Sequence, residues 1–179
     1  MADAPRPKST RKGINSRDKG GRGENQVCAL LKDWWKSDFA RTPSSGGFKT
    51  KKFREDWNAE GDVVTPDETF PFSVEVKWQE EWTLDHILTS PQSKFWEWWE
   101  QAKRETAEGR LTLLVFKRNR NPWFVMMRDR YTATPAQVNF IKGSPIRVTD
   151  RQGESAYIRL FDDLLEEPKK LWERKPKSK

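Results

Sequence analysis

The run Phe72-Ser73-Val74-Glu75-Val76-Lys77 constrains this chain more than any other. Its alternation is that of a β-strand, with Val74 and Val76 on one face and Glu75 and Lys77 on the other. The apolar face predicts a sheet packed on a core. A charged pair on the opposite face of such a strand needs a reason of its own. Upstream, Asp62-Val63-Val64-Thr65 reads as a second strand, and Pro66-Asp67-Glu68 between the two predicts a turn.

The neighbouring segments supply the rest of the sheet and its cover. Val27, Leu30, Leu31, Trp34 and Trp35 recur at helical spacing and predict an amphipathic helix of about four turns. Pro43-Ser44-Ser45-Gly46-Gly47 marks a loop within 38–53, flanked by short extended pieces. Ser90-Pro91 reads as a helix start, Phe95, Trp98, Trp99 and Ala102 continue at helical spacing, and Gly109 ends the helix. Leu111 to Phe116 and Trp123 to Met127 predict two strands joined by a basic turn, and 145–149 and 157–161 two more. This order of elements predicts the α/β class, a mixed β-sheet flanked by helices.

Ten Trp and ten Phe among 179 residues supply a core although only 34% of the chain is hydrophobic. Helical spacing makes Trp34, Trp35, Trp96, Trp98 and Trp99 core or dimer-packing residues, the alternative being platforms for unpaired bases. The single cysteine, Cys28, reads as a small core residue and cannot form an internal disulfide. With one histidine, His86, it leaves no Cys/His zinc site and no Ser-His-Asp triad. Catalysis is left to carboxylates, lysine and a metal ion.

The net charge of +7 lives at the ends. Residues 1–22 carry seven Lys/Arg against two acids, and 168–179 carry six against one. The reading is a flexible basic arm over 1–20, one domain over 21–167 with its core at 21–127 and an extension over 128–167, and a basic tail over 168–179. Such arms suit a polyanion, because neutralised phosphates release counterions. Arg11, Lys12, Arg17, Lys19 and Arg22, with Lys49, Lys51, Lys52 and Arg54 of the loop region, are the expected DNA contacts. No membrane span or secretory signal is visible, which predicts a cytoplasmic protein with no membrane partner.

A hairpin centred between Glu68 and Thr69 places Asp62 opposite Glu75, with Cβ atoms about 4.5–5.5 Å apart. Two carboxylates so close repel unless a cation sits between them. Mg²⁺ meets that need with one or two carboxylates, waters and a substrate phosphate as ligands, and it polarises the phosphate and activates water. Lys77, on the Glu75 face, is placed to orient that water and to screen developing charge. Glu24 lies on the face of the apolar stripe at the positive end of the first helix, which makes it a third acid for the metal. Gln92, three residues before Phe95, is a further candidate for the site.

Gly61-Asp62 followed by Glu75-Val76-Lys77 resembles the PD-(D/E)xK nuclease superfamily, with Gly61 standing where the pattern has Pro. Arg22-Gly23-Glu24 and Ser44-Ser45-Gly46-Gly47 are similar to segments of the archaeal-type Holliday junction resolvases and their phage relatives, and the likeness covers roughly 20–127. The resemblance implies a restriction-endonuclease-like fold, a homodimer, and Mg²⁺-dependent nicking of four-way or other branched DNA, with Mn²⁺ able to replace Mg²⁺. It implies catalytic roles for Glu24, Asp62, Glu75 and Lys77, with Ser44 or Ser45 on the phosphate. In a phage-encoded protein the site of action is the host cytoplasm. Two alternatives stand beside this reading. One is a nuclease of the same superfamily acting on flaps, ends or linear duplex, and the other a non-catalytic DNA-binding protein.

Overall fold

The computed structural model describes residues 16–42, 61–128 and 143–174. The strand built on Glu75, β3 (Phe72–Trp78), forms one edge of a five-stranded sheet. It pairs in parallel with β4 (Leu111–Lys117), which pairs antiparallel with β5 (Phe124–Arg128). Beyond β5 come β7 (Ser155–Leu160) and then β6 (Ile146–Thr149), both antiparallel. A separate two-stranded ladder pairs β1 (Ala40–Arg41) with β2 (Val63–Val64). The expected α/β architecture, a mixed sheet flanked by helices, is the one observed.

Each face of the sheet has its own core, because strand alternation sends neighbouring side chains to opposite sides. Helix α1 (Ser16–Trp35) buries Val27, Leu31 and Trp35 against Phe72, Val74, Val76, Leu113, Val115 and Val125. Helices α2 (Leu84–Thr89) and α3 (Lys94–Arg104) cover the other face, with Phe95, Trp96, Trp98 and Trp99 over Leu114, Phe116 and Met126. These tryptophans are core residues, which removes them as base-stacking platforms. The side of α3 carrying Trp96 needs no second subunit, since α2 lies there and accepts the Trp96 indole N–H at its Ile87 carbonyl, 3.2 Å away.

Two helix starts differ from expectation for local reasons. Helix α1 begins at Ser16, ahead of its apolar stripe, so Lys19 and Arg22 sit on a helix. The poor helix formers Gly20, Gly21 and Gly23 hide this start in the sequence. Ser90 does not open α3. It closes α2 by donating its N–H to the His86 carbonyl at 3.1 Å, and α3 starts after Ser93. Gln92 consequently lies in a turn, exposed and off the helical face that Phe95 occupies.

The segment after Arg128 completes the domain. Helix α4 (Phe161–Leu165) follows β7 and buries Phe161 and Leu164. The last described residues pack on the domain: Trp172 is 1% exposed and lies 5.3 Å from Phe72 between ring centres. Its indole N–H donates to Glu167 at 2.9 Å, and Glu167 forms a buried ion pair with Arg159 at 2.5 Å. The basic character of 168–179 therefore conceals a core residue. Among the described residues no helix is long and apolar enough to cross a membrane.

Candidate active site

Asp62 reaches Glu75 by a route other than the expected hairpin. Val63 and Val64 pair with Arg41 and Ala40, so β2 is not laddered to β3. The connection from Thr65 to Pro71 is too elaborate for a tight turn. Asp67 anchors it by accepting from the Thr69 N–H at 2.9 Å and the Trp35 indole at 3.0 Å. Asp62 instead grips the free edge of β3 directly. Its N–H donates to the Val74 carbonyl at 2.8 Å, and its Oδ2 accepts the Val76 N–H at 2.8 Å. These two bonds straddle Glu75 and bring the carboxylates together, as the sequence predicts, by a different geometry.

Gly61 makes this grip possible. Its φ is +87°, and a Cβ there would lie 2.7 Å from the Val74 carbonyl oxygen, so any side chain would push Asp62 off the strand. Glycine at the proline position of the motif thus has a steric cause. Thr42 holds the other side, with its N–H on the Asp62 carbonyl at 2.9 Å and its hydroxyl on the Gly61 carbonyl at 2.6 Å.

Glu75 is 5% exposed on the α3 face and accepts from Lys77 Nζ at 2.5 Å. Burial, followed by the nearby Asp62 charge, pushes the Glu75 carboxyl up to about 7. Burial also raises Asp62 above the ordinary carboxylate range, against the Val76 N–H and the Lys77 charge, which favour ionisation. Two desolvated acids, the Asp62 charge raising Glu75 and the Glu24 and Glu105 charges raising Asp62, form a donor set that a divalent cation would stabilise. Asp62 commits Oδ2 to Val76 and keeps Oδ1, and Mg²⁺ needs only one or two protein carboxylates. The residues therefore fit such an ion, although no cluster of three potential metal ligands occurs among the described residues.

Glu24 occupies the site-facing side of α1 and adds negative potential at Asp62, but its carboxylate is held by Arg41 Nε at 2.7 Å. Arg41 escaped the sequence reading, since nothing local separates it from other basic residues before a loop. Glu105, just after α3, carries no signal in the residue pattern and raises both acids electrostatically. Cys28 lies one turn beyond Glu24. Burial and the Glu24 charge push its thiol up to about 12, which leaves it inert, in keeping with a core role. Gln92 makes no hydrogen bond to Asp62, Glu75 or Lys77 among the described residues.

Of the expected DNA contacts, Lys19 pairs with Glu80 beside the Trp78 ring, and Arg22 is exposed on α1. Arg17 lies on α1 with its side chain outside the description. Arg11, Lys12, Ser44, Ser45, Lys49, Lys51, Lys52 and Arg54 lie outside the described residues.

An aspartate gripping an edge strand beside a Glu-x-Lys pair, on a mixed sheet between helices, defines the class as a PD-(D/E)xK nuclease. The chain belongs to the family described as "Phage putative PDDEXK endonuclease", whose model matches residues 15–174. Protein D14 of Escherichia phage T5 is 29% identical over 119 residues, spanning 64% of this chain and 71% of that protein. Among solved structures, Archaeoglobus fulgidus Hjc, a Holliday junction resolvase from an archaeal hyperthermophile, is matched over 80% of this chain and 90% of its own. The identity is 16% and the TM-score 0.29, too loose a superposition to carry that protein's activity across.

Proposed function

We propose that this nuclease is a divalent-metal-dependent endonuclease that hydrolyses phosphodiesters at branched DNA, as a Holliday junction resolvase, working as a homodimer. The observation carrying the catalytic part is the Asp62 grip on β3 beside buried Glu75 and Lys77. Asp62 and Glu75 would hold Mg²⁺ or Mn²⁺, which polarises the scissile phosphate and lowers the pKa of coordinated water. Lys77 fixes one Glu75 oxygen and directs its ammonium at the charge that grows on the phosphoryl oxygens. Sheet and α3 keep bulk water from Glu75, so these charges act in a low-dielectric setting. Glu24 is the third acid, and binding of a phosphate by Arg41 would free it from the pair that now engages it.

The preference for branched DNA rests on the likeness of Arg22-Gly23-Glu24 and Ser44-Ser45-Gly46-Gly47 to the resolvases. Basic residues at both ends of the chain add backbone affinity. The test compares Mg²⁺-dependent cleavage of a four-way junction, a flap and a linear duplex of matched sequence. Paired nicks in the junction at lower enzyme concentration than in the other two are expected. Equal cleavage of all three would reject the branched-DNA assignment.

A further inference from the structure

We propose that the cleft between the start of α1 and the β4–β5 turn seats a DNA strand beside the catalytic acids, with Trp78 as the surface on which one unpaired base stacks. This rests on the nuclease reading above and concerns the branch point, where strands leave the duplex and a base can come unpaired.

Trp78 is unlike the core tryptophans. Trp35, Trp99 and Trp172 are buried, each with a single cation 5.6–5.9 Å from its ring centre, whereas Trp78 is half-buried at the end of β3 and has two cations over its ring. Lys117 Nζ lies 4.5 Å from its ring centre and 4.9 Å from that of Trp123, and Lys19 Nζ lies 5.5 Å from Trp78. The indole is fixed, because its N–H donates to Asn119 Oδ1 at 2.9 Å and Trp123 packs on it edge-on at 6.0 Å. Gly23 permits this arrangement: a Cβ there would lie 3.3 Å from Trp123 and 3.5 Å from Trp78. A glycine inside a helix weakens it, and here it admits two indoles against α1.

Lys19, Arg22, Trp78 and Asn119 line an open cleft of about 280 Å³. Arg118 and Arg120 stand on the adjoining turn, and Glu80 is the acid that Lys19 and the Asn119 N–H engage. The chain upstream of Ser16 carries Arg6, Lys8, Arg11 and Lys12 and joins the domain at this end of α1. A cation-rich cleft around a fixed aromatic ring matches a nucleic acid strand better than a peptide or a small anion. Phosphates meet the ammonium and guanidinium groups, and a base meets the ring. Trp78 follows Lys77 directly, so its Cα is about 3.8 Å from that of a catalytic-site residue. Alternation turns Trp78 to the α1 side, so a strand seated there reaches the acids across the free edge of β3, where Asp62 sits.

The test measures binding of the full chain in a chelator, so that no cleavage is required, to a forked DNA with unpaired arms and to a matched duplex. Trp78→Leu is expected to weaken forked-DNA binding roughly ten-fold and leave duplex binding near wild type, with Trp78→Phe restoring most of the loss. Lys117→Gln and Arg22→Gln are expected to weaken both DNAs alike and to reduce the salt slope by about one each. A wild-type ratio of forked to duplex affinity in a folded Trp78→Leu protein would overturn the stacking role. If Trp78→Leu does not fold, the two charge variants decide, and wild-type salt slopes in both overturn the cleft. Wild type that never cleaves but shows these binding changes refutes the nuclease reading alone. Cleavage by wild type with unchanged binding in every variant refutes the cleft alone.

Discussion

Replacing Glu75 by Gln should make the metal-free protein more stable, because it removes a carboxylate that the fold desolvates. Glu75 moves from 4.5 in the unfolded chain to about 7 in the folded one, through burial and the Asp62 charge. Its folded value is the higher, so the folded state holds the extra proton between those two values. Stability from this group is present below about pH 4.5 and lost as pH rises through 7. At roughly 1.4 kcal/mol per pH unit the loss is about 3 kcal/mol by pH 8. For a chain of this length that corresponds to a melting shift of about 6–12 °C. Thermal melts in chelator from pH 4.5 to 8 should show Glu75→Gln gaining on wild type by that amount, with near parity at the acid end. Adding Mg²⁺ or Mn²⁺ at pH 8 should raise the wild-type melting temperature and leave Glu75→Gln unmoved. A variant that is less stable than wild type at pH 8, or a constant gap across the range, would refute the claim that the site stores charge strain for a cation.

Two further perturbations address the scaffold. Gly61→Ala should cost about 1–3 kcal/mol in urea unfolding, from the left-handed φ and the 2.7 Å approach to Val74, and should reduce cleavage by more than the stability loss explains. Wild-type cleavage in that variant would separate the Gly61 contact from the placement of Asp62. Glu167→Ala leaves Arg159 charged in the interior and removes the acceptor of the Trp172 indole, at a cost of about 3–5 kcal/mol. Urea unfolding within about 1 kcal/mol of wild type would show that the C-terminal segment is not anchored this way.

What was legible in the sequence followed the range of the forces involved. Val27, Leu31 and Trp35 repeat with the helix, and Val74 and Val76 alternate with the strand, so α1 and β3 to β5 could be read locally. Helix α2 and strand β1 span six and two residues, too short for any period to show. The nearness of Asp62 and Glu75 was legible, but its cause was not. A carboxylate bonded to the Val76 N–H leaves no trace in residue pattern, and an antiparallel hairpin was the simplest geometry consistent with the spacing. Glu24 is legible as an acid on the face of the apolar stripe, while its partner Arg41 lies 17 residues away in another element. Trp172 was hidden among lysines because its burial depends on Phe72, a contact across most of the chain.

The most direct measurement of the central claim is phosphodiester cleavage of a four-way junction by wild type, Asp62→Asn and Glu75→Gln, each with Mg²⁺ and with chelator, alongside DNA binding at low salt. Cleavage by wild type in Mg²⁺ only, with both variants inactive and still bound to DNA, is the expected result. Wild-type rates in either variant, or cleavage that persists in chelator, would contradict the assignment of these acids as the metal-holding centre.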